Sequence, residues 1–191
     1  MGKTISMWSS LTRFSFLVIF LFFATNILSQ ADDSENRSLE IGPEIQFYPT
    51  GIIPGLRIEK YLNQSSSLNF RLGYQIIDHR DLGVQDDETG NGFGVSLAYR
   101  RFLNDRQSGL SLAFRTDLWF NEMDWQTDNA MGTTNITVIQ PTLMGEYRFK
   151  KGNISITPSL SFGWEWNVST DGEPTGEGAI LLVGCSFGIG I

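Results

Sequence analysis

The chain has 191 residues, of which 41% are hydrophobic and 18% charged, with 20 Gly, 14 Phe, 5 Trp and only 6 Pro. This balance excludes a disordered chain and a bundle of membrane helices, and the Gly-rich, Pro-poor composition favours strands joined by tight turns. Fourteen Lys and Arg against 21 Asp and Glu give a formal charge of −7, without the basic excess that a nucleic-acid partner requires, and the lone Cys185 excludes an internal disulfide or a cysteine-built zinc site.

The opening residues read as an address. Lys3 and Arg13 stand without any acid, Phe14 to Phe23 is almost unbroken apolar sequence, and small Ser29 and Ala31 precede the acidic pair Asp32-Asp33. That layout predicts a signal peptide over residues 1–31, cut after Ala31. An uncleaved helical anchor is the alternative, but the apolar run falls short of the roughly 20 residues that a spanning helix needs. A short segment, 32–37, then leads into one domain over 38–191, and loss of Lys3 and Arg13 takes the charge from −7 to −9.

From Leu39 onward the apolar residues recur with period two, which is the spacing of strands with two unlike faces. Eight strands are predicted, over 38–48, 52–62, 67–77, 91–102, 109–121, 134–149, 153–168 and 177–191. In the third, Leu68, Phe70, Leu72, Tyr74 and Ile76 alternate with Asn69, Arg71, Gly73 and Gln75. In the sixth, Val138 and Met144 fall out of phase with Ile139, Pro141, Leu143, Tyr147 and Phe149, which suggests a bulge. Short connections (63–66, 103–108, 150–152) alternate with longer polar ones (78–90, 122–133, 169–176). In an antiparallel meander this gathers the long loops at one rim and the short turns at the other, as in outer-membrane barrels.

Which face is enclosed decides the reading. A soluble barrel or sandwich would put the apolar face inside. The polar face, however, mixes Gly, Ser and Ala with long ionic side chains: Glu40, Glu44, Arg57, Glu59, Arg71, Arg100, Arg115, Asp117, Glu146, Arg148 and Glu165. Six acids against five bases is close to the neutrality that an enclosed ion-pair network needs. Aromatics fall into two bands, with Tyr74, Phe93, Phe120, Trp164 and Trp166 toward the long-loop rim and Phe70, Tyr99, Phe102, Tyr147, Phe149 and Phe187 toward the short-turn rim. Membrane barrels place such girdles at both interfaces. The expected fold is therefore all-β, an eight-stranded antiparallel up-and-down transmembrane β-barrel after a cleaved signal peptide.

On these patterns the chain resembles the small eight-stranded outer-membrane β-barrel family across residues 38–191. The last strand alternates Val183, Cys185, Phe187, Ile189 and Ile191 with Gly184, Ser186, Gly188 and Gly190, which is similar to that family's assembly signal except that Ile191 stands where Phe is commoner. The resemblance implies an integral outer-membrane protein, a monomer whose partners are outer-membrane lipid, lipopolysaccharide and the barrel assembly machinery. It implies a structural or surface-binding role without a cofactor.

Candidates for chemistry are few. Some barrels of this size modify lipid A with a His, a Ser and an acid at the outer rim; here only His79 is present, in Asp78-His79-Arg80-Asp81, with no serine beside it. A solvated loop residue is the expected role. Asp86-Asp87-Glu88 lacks the spacing of a calcium loop and reads as a solvated acidic run. Trp119 and Trp125 suggest girdle or loop packing ahead of sugar stacking, and Cys185 is expected to face lipid as a small hydrophobe. A lipid A-modifying enzyme and a soluble lipocalin-like carrier are the alternatives. A diffusion pore ranks behind a filled lumen, because eight strands enclose little space.

Overall fold

Alternation of side chains along each segment translates directly into strands with one inward and one outward face. The computed structural model describes residues 38–79, 87–104, 106–126, 131–173 and 175–191. It contains β1 (Leu39–Tyr48), β2 (Gly51–Tyr61), β3 (Ser66–His79), β4 (Asp87–Phe102), β5 (Gly109–Gln126), β6 (Met131–Lys151), β7 (Ile154–Asp171) and β8 (Gly178–Gly190). Each strand pairs antiparallel with its sequence neighbours, and β8 closes on β1, making an eight-stranded barrel. Closure removes the two free edges that an open sheet would have, while β8 from Gly178 to Leu182 runs beyond its last β1 pair, Phe47–Val183. The expected signal peptide and the segment after it lie outside the described residues, as do Arg80, Asp81 and Asp86 and the side chains of His79, Asp87 and Glu88.

The strands are inclined to the barrel axis. Paired residues run from Glu40 through Glu59, Asn69, Ala98, Arg115, Thr142 and Gly163 to Ile180. Ile180 lies beyond the Phe47–Val183 pair where β8 meets β1, so one circuit climbs most of the length of β1. This stagger is what a narrow closed sheet requires. It also brings residues distant in sequence to the same height inside the tube.

The interior is polar and the exterior apolar. Arg57, Arg71, Arg100, Arg115 and Arg148 are each 2% exposed or less, whereas Phe93, Leu97, Leu143 and Phe162 are 60% exposed or more. Ordinary soluble folds distribute these residue types the other way round. Room for the large inward groups comes from glycine. A Cβ on Gly73 or Gly94 would come within 2.8 Å or 2.2 Å of the Trp119 ring.

Four of the sequence expectations are corrected. The strands reach further at the long-loop end, because β3 runs to His79, β4 starts at Asp87, and β5 and β6 continue to Gln126 and from Met131. Polar outward residues such as Glu122 and Asp124 break the apolar alternation there, but they do not break the backbone ladder. An 18-residue strand inclined by ~40° rises about 45 Å, against about 25 Å for a 10-residue one, so β4–β7 extend as a wall beyond β1.

β6 pairs with β5 in unbroken register, and the irregularity lies in the β6–β7 ladder, where Thr137 pairs Ser169 and Val138 pairs Asn167, leaving Val168 as the extra residue. Val138 and Met144 are simply buried in the lumen. Phe102, read as a girdle residue, points inward and is buried, since the alternation that sends Tyr99 out sends Arg101 out and Phe102 in. Trp119 is likewise enclosed and takes part in no girdle.

Gly94→Val should destabilise the folded barrel by about 1–3 kcal/mol through overpacking against Trp119. Gly145→Val, where an added Cβ meets nothing within 4 Å, should stay within about 0.5 kcal/mol of the parent. Equilibrium urea unfolding of the refolded protein measures both.

Candidate functional site in the lumen and its outer mouth

Ten of the eleven ionic residues assigned to the lumen form two clusters, one above the other. Toward the short turns, β1 supplies Glu40, β2 Arg57 and Glu59, β4 Arg100, and β6 Glu146 and Arg148. Arg57 Nη2 donates to Glu40 Oε1 at 2.9 Å and lies 3.6 Å from Glu59. Arg100 grips Glu146 through Nε and Nη2 at 2.6 and 2.8 Å and reaches Glu59 at 2.5 Å. Arg148 pairs with Glu40 and, at 3.4 Å, with Glu59. Three guanidinium groups meet three carboxylates.

Higher up, Arg71 donates to Glu44 at 2.8 Å and to Asp117 Oδ1 at 2.6 Å. Arg115 reaches the same two acids at 2.9 and 3.1 Å. Gln46 Oε1 accepts from both arginines at 2.5 and 2.7 Å, and Ser96 donates to Asp117. Two charges of each sign cancel here as well. Because a buried ion costs several kcal/mol unless it is paired, neutrality within each cluster is what makes an ionic interior tenable.

Aromatic rings close the network at both ends. Tyr61 and Phe102 stack with centroids 6.3 Å apart, and the Arg148 guanidinium lies 5.1 Å from the Tyr61 ring and 6.0 Å from Phe102. At the other end the Trp119 ring lies over Arg71 at 5.5 Å, with Nε1 donating to Gln140 Oε1 at 3.0 Å. Cation–π contact suits these desolvated guanidinium groups.

Above Trp119 the lining changes character. Ile53, Trp119, Met123, Ile136, Val138, Ile180 and Leu182 form a buried apolar cluster, with Tyr48 and Ile77 packed against it. Beside it opens a cavity of about 410 Å³, bordered by Tyr48, Gln75, Asn121, Glu165, Asn167 and Glu177 as well as by Met123, Ile136, Val138 and Ile180. Glu165, the eleventh ionic residue, stands on this wall and joins no ion pair among the described residues. Its assignment to the network is therefore corrected: Glu165 is the sixth acid that left the inward set unbalanced.

The apolar mouth was missed in the sequence, although signals for it exist. Ile180-Leu181-Leu182-Val183 is apolar on both faces, as is Ile52-Ile53, and Val138 fell out of phase on β6. A continuous apolar run in a barrel strand means a second apolar face, here directed inward.

The girdle residues other than Phe102 lie on the outer surface. Tyr74, Phe93, Phe120, Trp164 and Trp166 are exposed toward the long-loop end, and Phe70, Tyr99, Tyr147 and Phe187 are exposed lower down, with Phe149 half-buried. His79 ends β3, paired through its backbone with Glu88.

Arg71→Met leaves Glu44 and Asp117 sharing one cation and should cost about 3–5 kcal/mol, the usual scale for breaking a buried pair. Adding Asp117→Asn restores neutrality around Arg115 and Glu44, so the double variant should be more stable than Arg71→Met alone. A double-mutant cycle in urea measures the difference.

No family model and no curated protein sequence matches the chain. Solved structures similar to it include the N-terminal β-barrel domain of Pseudomonas aeruginosa OprF, at 15% identity and TM-score 0.50, covering 81% of this chain and all of that one. Neisserial surface protein A matches at 11% identity and TM-score 0.51, over 82% of this chain and all of that one. Ail, the attachment invasion locus protein of Yersinia pestis, matches at 10% identity and TM-score 0.51, over 80% of this chain and 97% of that one. With its closed antiparallel meander of eight strands, the chain has the fold of the small eight-stranded outer-membrane β-barrels.

Proposed function

We propose that the chain is an integral outer-membrane protein with a structural or surface-binding role and no catalysis. The observation that carries this reading is the inverted burial, with five arginines sealed inside and a continuous outer belt of Leu, Ile, Phe, Tyr and Trp. Exposed apolar surface on this scale calls for hydrocarbon or a large partner. The bands of Tyr and Trp suit the headgroup zones, and β1 and β2, at 10 and 11 residues, match the 9–11 residues of a tilted membrane strand. In this setting the neighbours are outer-membrane lipid and lipopolysaccharide, insertion uses the barrel assembly machinery, and the protein acts as a monomer.

A binding role fits better than conduction. Two neutral clusters and the rings of Trp119, Tyr61 and Phe102 occupy the lumen, and among the described residues the cavity at the mouth offers space to a ligand. For lipid A chemistry at His79, no serine adjoins the histidine in sequence.

The direct test is gel migration of the protein extracted from isolated membranes, with and without boiling. A folded membrane barrel should shift on heating and should be absent from the soluble periplasmic fraction; recovery as a soluble species with no shift would contradict the reading. In planar bilayers the purified protein should give no stable open-channel conductance, and steady conductance would mean that the plug is not closed.

A further inference from the structure

The outer mouth pairs an apolar pocket with unsatisfied acceptors, and this combination selects a ligand class. The geometry points to a site for an amphipathic cation: a primary or secondary ammonium group carried on an apolar chain or ring. This deepens the surface-binding reading above and rests on it.

The cavity, of about 410 Å³, falls within the range of small-molecule pockets. Its apolar wall is Met123, Ile136, Val138 and Ile180, continuous with Trp119 below. Water held against such a wall lacks partners, so an apolar group can displace it favourably.

Two carboxylates, Glu165 and Glu177, stand among the polar groups of the wall. Gln75 donates through Nε2 to Tyr48 Oη at 3.0 Å, and its Oε1 accepts from Asn121 Nδ2 at 3.0 Å. This engages one N–H of each amide, while Asn121 Oδ1, on a side chain 6% exposed, has no partner. The Glu165 carboxylate faces the same space with no hydrogen-bond or ion-pair partner among the described residues, and Glu177 beyond it accepts from the Asn167 backbone N–H at 2.9 Å. Among the described residues no Lys, Arg or His lines the cavity. The site therefore presents negative charge and lone pairs beside an apolar wall. An ammonium group supplies both the counter-charge and the N–H donors; an anion meets repulsion, and a neutral alcohol leaves Glu165 uncompensated.

The access route fits a membrane-borne amphiphile. Ala179 and Leu181, at outward positions of β8, border the cavity together with Pro49 and Thr50 of the β1–β2 turn. The cavity thus reaches the seam between β8 and that turn, above the Phe47–Val183 pair.

The test uses the barrel refolded in lipid nanodiscs with methyl-¹³C methionine, titrated with decylammonium. Met123 borders the cavity, Met144 is buried below Trp119, and Met131 is exposed at the start of β6. The Met123 methyl resonance should shift saturably while Met144 and Met131 stay in place. Glu165→Gln, which touches neither ionic cluster, should raise the half-saturating concentration about tenfold or more, and Ile180→Trp should abolish the shift by filling the pocket. Decyl sulfate and decanol should produce no saturable shift at Met123. The proposal is overturned if decylammonium gives no saturable shift, if all three methionines respond alike, if Glu165→Gln leaves the titration unchanged, or if the sulfate or alcohol matches the ammonium. Heat-modifiable migration of the same samples separates the two readings: intact barrels with no binding sink this site alone, whereas loss of the heat shift points to the barrel reading itself.

Discussion

Charge enclosed in a narrow tube has to cancel locally, and the rest of the structure follows from that constraint. A carboxylate or guanidinium withdrawn from water needs a partner within hydrogen-bond reach, and in so narrow a tube that partner can stand on the opposite wall. The stagger of the strands provides this. It brings Glu40 of β1 to Arg148 of β6 and Glu44 of β1 to Arg115 of β5, contacts spanning 108 and 71 residues of sequence. Because each cluster closes its own charge balance, the wall can present an apolar face outward around its whole circumference.

Volume is the second constraint. Five guanidinium groups and an indole fit inside eight strands because the facing inward positions are occupied by Gly and Ser. Gly73 and Gly94 flank Trp119, Gly55 lies against the Arg71 side chain, and Ser96 bonds both Arg71 and Asp117. Small and large residues alternate across the lumen, as side-chain packing in so narrow a barrel requires. Trp119 then divides the lumen into an ionic part below and an apolar mouth above.

Much of this was legible in the sequence because period two is a strong signal where one face is uniformly apolar, as from Leu68 to Ile76 and from Phe93 to Tyr99. The inward ionic residues followed from the same alternation. Legibility failed where the contrast between faces vanished. Glu122 and Asp124 made the upper part of β5 look like a loop, although its backbone bonds continue to Gln126. Ile180 and Leu182 both face inward but sit within an all-apolar run, where only parity carried back from Gly184 and Ser186 distinguishes them from Leu181 and Val183. Phe102 was misplaced by weighing its chemistry above its parity. The partition of the ionic residues into two neutral sets, with Glu165 left over, depends on strand stagger, which one sequence does not display.

The outward apolar belt and the sealed ionic lumen are two sides of one claim, and the native cysteine tests it. Cys185, the chain's only cysteine, occupies an outward position midway along β8, between Ile45 and Pro158 of its neighbours. A fluorophore attached there in the unfolded chain and carried through refolding into vesicles should be quenched by lipids brominated on the acyl chain and protected from aqueous iodide. Quenching by iodide with indifference to the brominated lipid would place that face in water and contradict the account.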